Sequence, residues 1–160
     1  MTPYSLAFYL DVVTTGTVLG ARPTDSPERV TALLGPDFAE NVQGGRTMWR
    51  DYGLTEFHWH RADTRQPWRG HHISLQVHRL ARRDRTIPDP ALRARYGRFA
   101  PRLRFDKLHR LLARRGVPLL EVPQSPANAP RYRSYRQPAS GVLVTVAGGD
   151  VYRIEASVPY

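Results

Sequence analysis

The sequence predicts an α+β fold: an antiparallel sheet of about five to six strands, with one short helix and one longer helix on one face. Three observations lead there. Several short runs alternate apolar and polar residues at period two, two segments repeat their leucines at helical spacing, and glycine pairs at Gly44-Gly45 and Gly148-Gly149 separate extended runs as hairpin turns do. The 160 residues are near the length of one typical domain, so a single domain over residues 1–160 is expected.

In chain order, Tyr4 to Val13 alternates, with Tyr4, Leu6, Phe8, Leu10 and Val12 on one face, and reads as a first strand. Ser26-Pro27-Glu28 supplies an N-cap, a proline at the first helical position and an acid in the first turn. A short helix is therefore expected from about Pro27 to Leu34, stopped by Gly35-Pro36. From Thr47 the pattern is extended again. Thr55 to Arg61 and His71 to Leu80 form a hairpin in which Phe57 and Trp59 share a face with Ile73, Leu75 and Val77. The expected register pairs Phe57 with Leu75, Trp59 with Ile73 and His60 with His72, because a one-residue slip would mix the faces.

Pro88 to Pro101 reads as irregular or weakly helical. Phe105, Leu108, Leu111 and Leu112 then recur at helical spacing until Gly116 and Pro118, with Lys107, Arg110 and Arg114 on the other side and Asp106 placed to pair with Arg110. A short strand is expected over Val117 to Val122, followed by a proline-rich loop from Pro123 to Pro138. The last hairpin joins Val142–Ala147 to Asp150–Val158 through Gly148-Gly149, with Leu143 opposite Ile154 and Thr145 opposite Tyr152. Val142, Val144, Val146 and Val151 fall on the other face, so this hairpin is either central and covered on both sides, the favoured reading, or bears an apolar patch.

The charge is the most unusual feature. The net charge is +10, 23 of the 24 basic residues are Arg, and the excess is confined to Arg79–Arg115, where thirteen basic residues face three acids. Arginine-rich codon usage accounts for part of the excess but not for its confinement. Such a segment implies an acidic partner approached with electrostatic steering. The absence of cysteine excludes disulfides, thiolate zinc sites and cysteine nucleophiles. The apolar first ten residues precede any Lys or Arg and are followed by Asp11, which argues against a signal peptide and for a cytoplasmic protein; no run is long enough to cross a bilayer.

His58, His60, His72 and His78 all lie on the polar face of the first hairpin. Imidazoles on adjacent strands can converge on zinc, but His58 and His78 are separated along the sheet and only Glu56 stands near to help. No metal or cofactor is expected, and His58, His60 and His72 are read as facing a partner. Acids are scattered singly, and there is no nucleophile elbow or phosphate-binding glycine loop, so an enzyme is not expected. Tyr96, Phe99, Tyr132 and Tyr135 interleave with arginines as base-stacking residues do, which keeps nucleic acid as a second class of partner.

The capped helix Pro27–Gly35 followed by Trp49-Arg50-Asp51-Tyr52-Gly53-Leu54-Thr55-Glu56-Phe57 resembles small immunity proteins of actinobacterial toxin systems, over about residues 19 to 60. The resemblance implies a non-enzymatic, cytoplasmic protein that binds and blocks a cognate toxin with an acidic surface. Lys107, Arg110, Arg114, Arg131, Tyr132, Arg133 and Tyr135, with the three histidines, are the expected contacts. Inhibitors of nucleases are expected to be acidic, so the basic charge points to a toxin that is not a nuclease or is engaged away from its nucleic-acid cleft.

Overall fold

The computed structural model describes residues 3–84 and 86–158. The side chain of Tyr4 and the whole of Arg85, both used in the sequence reading, lie outside the described residues. The fold is α+β and its sheet is antiparallel throughout, but among the described residues it holds eight strands where five to six are expected, and more than two helices.

The strands are β1 (Ala39–Gln43), β2 (Thr47–Asp51), β3 (Thr55–His60), β4 (Arg69–Leu75), β5 (Leu120–Val122), β6 (Arg133–Arg136), β7 (Leu143–Ala147) and β8 (Asp150–Ser157). Their spatial order is β1-β2-β3-β4-β8-β7-β6-β5. Two four-stranded meanders thus meet along the β4–β8 seam, where His72 to Leu75 pair with Ser157 to Ile154. The helices are α1 (Pro3–Thr15), α2 (Pro27–Leu34), α3 (Pro90–Tyr96) and α4 (Phe105–Arg114), with a 3-10 helix over Val77–Arg82.

The first strand of the sequence reading is instead helix α1. Its buried residues Ser5, Phe8, Tyr9, Val12 and Val13 follow helical spacing, and Leu10 is buried as well. A segment apolar on nearly every side satisfies both periods, and burial between the sheet and its neighbours selects the helix. Phe8 packs on Tyr96 and Phe99, and Gly16 closes the helix with φ 70°, its N–H donating to the Val12 carbonyl at 2.8 Å. Helix α2 has the expected bounds. The Ser26 hydroxyl accepts from the Arg29 N–H at 3.2 Å, and Val30 and Leu34 are buried.

One sheet face carries the core: Phe57, Trp59, Ile73, Leu75, Val144, Ile154 and Ala156 are buried there. Helices α1, α2 and α4 lie against it. Gly16 at the end of α1 approaches Val142 and Ala156; Arg50 on β2 donates to the Pro27 carbonyl; Phe105 on α4 packs on Tyr135 at 4.3 Å between ring centroids. The chain entering α2 crosses the same face so closely that a Cβ on Gly70 would lie 1.9 Å from the Pro23 carbonyl oxygen. Trp59 donates its indole N–H to the Asp25 carbonyl beside this crossing, at 2.9 Å.

In the β3–β4 hairpin Phe57 pairs with Ile73, Thr55 with Leu75 and His58 with His72, two residues from the expected register. A shift of two preserves the faces, which is why the apolar rows still agree, and beyond a bulge between His58 and Trp59 the pairing moves one residue further, setting Trp59 opposite Gly70. Strand β4 ends at Leu75 and does not continue to Leu80. Val77 and Leu80, spaced by three, are the buried side of the 3-10 helix.

The Gly148-Gly149 turn is present, with φ 58° and 81°. Next to the turn the expected register holds, with Val146 opposite Val151, but beyond an irregularity at Thr145/Val146 it differs by one residue: Val144 opposes Ile154 and Leu143 opposes Glu155. The slip brings Val144, Val146, Val151 and Ile154 together, and β7 and β8 are interior strands of the sheet. Strand β6 lies within the expected Pro123–Pro138 loop, and β1, exposed along its whole length, has no apolar row to announce it.

Candidate functional site

The sequence-predicted contact residues divide between the two faces of the sheet. On the face opposite the core helices, a polar network starts at Arg79 of the 3-10 helix. Its guanidinium donates to both Asp51 carboxylate oxygens at 3.1 Å, to the Gly53 carbonyl at 3.0 Å and to Glu56 at 2.5 Å. Glu56 is only 8% exposed, and also accepts from Gln76 at 3.0 Å and contacts His58 Nε2 at 3.3 Å. Burial acts to raise its pKa, but the hydrogen bonds from His58 and Arg79 prevail and hold it at about 2.

From Glu56 the network passes into a row of rings. His58 stacks on His72 at 4.1 Å, Trp49 stacks on the other side of His58 at 6.2 Å, and His71 Nδ1 meets His72 Nδ1 at 2.7 Å. Burial, and then the neighbouring His58, His71 and Arg153, lower His72 to about 4. The two-residue register offset creates this row by setting His72 beside His58 in place of His60, which is exposed at the end of β3. His78 lies apart, stacked on Tyr152 at 4.2 Å. Among the described residues no group of three or more His, Asp or Glu is placed to hold a metal ion.

On the helix-bearing side, α4 buries Leu108 and Leu112 and turns Lys107, Arg110 and Arg114 to solvent. None of these three cations has an ion-pair partner among the described residues. Asp106 approaches Arg104 at 3.8 Å and not Arg110 as expected, and Arg104 also pairs with Asp150 of the hairpin at 3.2 Å.

Beside the start of α4, two shallow grooves flank Arg133. One, of about 310 Å³, is lined by Phe105, Arg131, Arg133, Tyr135, Val146 and the Gly148-Gly149 turn. The other, of about 480 Å³, lies against Glu121, Gln124, Tyr132 and Arg133. Arg131, Tyr132, Arg133 and Tyr135 are therefore brought together. Arg133 is held by a two-pronged bond to Glu121 at 2.9 and 2.8 Å, and Arg131 is exposed over the Tyr132 ring.

The aromatic residues proposed to stack bases are placed otherwise. Tyr96 and Phe99 pack on Phe8, Tyr135 is buried beneath Phe105, and Tyr132 leans on Tyr152. Sequence reasoning places Asp51 and Glu56 near the histidines but gives Asp51 no role, and it misses Gln76 and Arg79 because the segment after Leu75 reads as strand; Glu56 alternating with histidines is the available signal. Among the described residues no helix is long and apolar enough to cross a membrane. No family model, curated protein or solved structure matches the chain.

Proposed function

We propose that the chain is a cytoplasmic immunity protein that binds a cognate toxin domain and neutralises it by occlusion, without catalysis. The observation that carries this reading is the unmatched basic stripe Lys107, Arg110 and Arg114 on the outer side of α4, the helix whose first residue, Phe105, lines the Arg131 groove. Exposed cations without acidic partners raise the encounter rate with an acidic surface, and an adjacent half-apolar groove supplies the short-range contacts that long-range charge cannot. Arg79, by contrast, is consumed by Asp51 and Glu56 and serves the fold.

The test is co-purification of a toxin domain with the chain from its native host and neutralisation of that domain, with association kinetics measured at low and high salt. The Arg110→Glu, Arg114→Glu double variant should associate about tenfold more slowly at low salt, with the difference shrinking as salt screens the field. Unchanged kinetics would remove α4 from the docking face. A second reading, sequence-tolerant nucleic-acid binding, draws on the Trp49–His58–His72 row on the other sheet face. An oligonucleotide affinity that collapses with salt and depends on Trp49 would favour it.

A further inference from the structure

The two grooves at the β7–β8 end share Arg133 and Ala129, so they adjoin one another at this end of the sheet. The smaller seat is floored by Phe105 and Val146, and its far wall is the Gly148-Gly149 turn, which has no side chain to obstruct an approaching backbone. The charges around it are unequal in availability. Arg133 is satisfied by Glu121, and Arg104, packed against Gly149, is satisfied by Asp150. Arg131 is exposed on the rim, with no acidic partner among the described residues.

We propose that this double groove receives an extended acidic segment of a protein partner, with a large apolar side chain in the Phe105–Val146 seat and an adjacent carboxylate on Arg131. The inference rests on the immunity reading and names where the partner is gripped. One available cation beside an apolar floor matches one carboxylate next to one apolar side chain. A single-stranded nucleic acid would need a run of cations and open ring faces, but Tyr135 is covered by Phe105 and Arg133 is already paired. The outward stripe on α4 supplies steering toward the same acidic partner without touching the groove floor.

The experiment selects random peptides displayed on phage against the full chain, and measures recovered peptides by fluorescence anisotropy. The expected peptides carry Asp or Glu next to Leu, Ile, Phe or Trp. Their affinity should fall at least about tenfold with Arg131→Glu. Ala129→Trp, which fills the shared wall from an exposed position, should cause a similar loss, and Arg65→Glu on a remote exposed loop should have no effect. Peptides without that pattern, equal loss with Arg65→Glu, or displacement by oligo(dT) that itself depends on Arg131 would each overturn the proposal. A wild-type chain that selects such peptides yet neutralises no toxin would sink the immunity reading alone; Arg131→Glu that still neutralises fully would sink the groove alone.

Discussion

Gly70 owes its identity to a crossing backbone. Its Cβ would stand 1.9 Å from the Pro23 carbonyl oxygen, and that oxygen belongs to main chain anchored by the Trp59–Asp25 hydrogen bond. Gly70→Ala should cost about 3 kcal/mol in urea unfolding, at the upper end for overpacking, because neither partner is a flexible side chain. His72 provides a pH signature. Its folded pKa of about 4 lies below the unfolded 6.5, so the unfolded chain takes up the proton first on acidification. The stability contributed by the neutral ring is complete above pH 6.5 and declines as pH falls toward 4; His72→Gln should flatten that part of a stability-versus-pH curve. Glu56, held at about 2, adds stability that is lost only below its ordinary carboxylate range. Asp89 is buried, caps α3 through the Leu92 N–H, and has its other oxygen unpartnered, so burial raises its pKa. Asp89→Asn keeps the cap and removes the buried charge, and should leave thermal stability at neutral pH unchanged or higher; a lower Tm would show that the charge itself is needed.

Among the elements, α2 and α4 were legible for local reasons. Ser26-Pro27-Glu28 and the spacing of Leu108 and Leu112 are short-range patterns that need no distant partner. The 3-10 helix and α1 were not, because their form depends on what covers them. The Val77–Arg82 turn exists to aim Arg79 back at Asp51 and Glu56 across the sheet. Arg79→Met should destabilise by about 3 kcal/mol, since it strands two carboxylates in a partly buried site; combining it with Glu56→Gln should recover part of that loss, as a double-mutant cycle measures. The candidate site was partly legible at this scale: Arg131, Arg133 and Tyr135 were recognised as a group, but as loop residues, because a four-residue strand bracketed by prolines gives too short a period to read.

For the whole molecule, two meanders depend on one seam. β4 and β8 share four residue pairs, with Leu75 against Ile154 and Ile73 against Ala156. Helix α1 begins the chain yet packs on residues of the C-terminal half through Gly16, Val142 and the Ser140 hydroxyl, which donates to the Val13 carbonyl at 2.7 Å. The halves should therefore unfold together. All three tryptophans, Trp49, Trp59 and Trp68, report on the N-terminal meander, while far-UV circular dichroism reports on both. Their urea transitions should coincide, and Leu75→Ala should shift both by about 3 kcal/mol; separated midpoints would show that the seam does not couple them.

By itself the sequence determined the mixed helix and strand content, the capped α2, the amphipathic α4, the Gly148-Gly149 turn and the concentration of positive charge, because each is encoded in residues a few positions apart. Only the tertiary structure decided that the first segment is helical, that the histidines and the arginine stripe lie on opposite faces, and that Arg79 is consumed while Arg131 is available. Those outcomes depend on burial and pairing between residues tens of positions apart, and local periodicity carries no information about which distant group will be the neighbour.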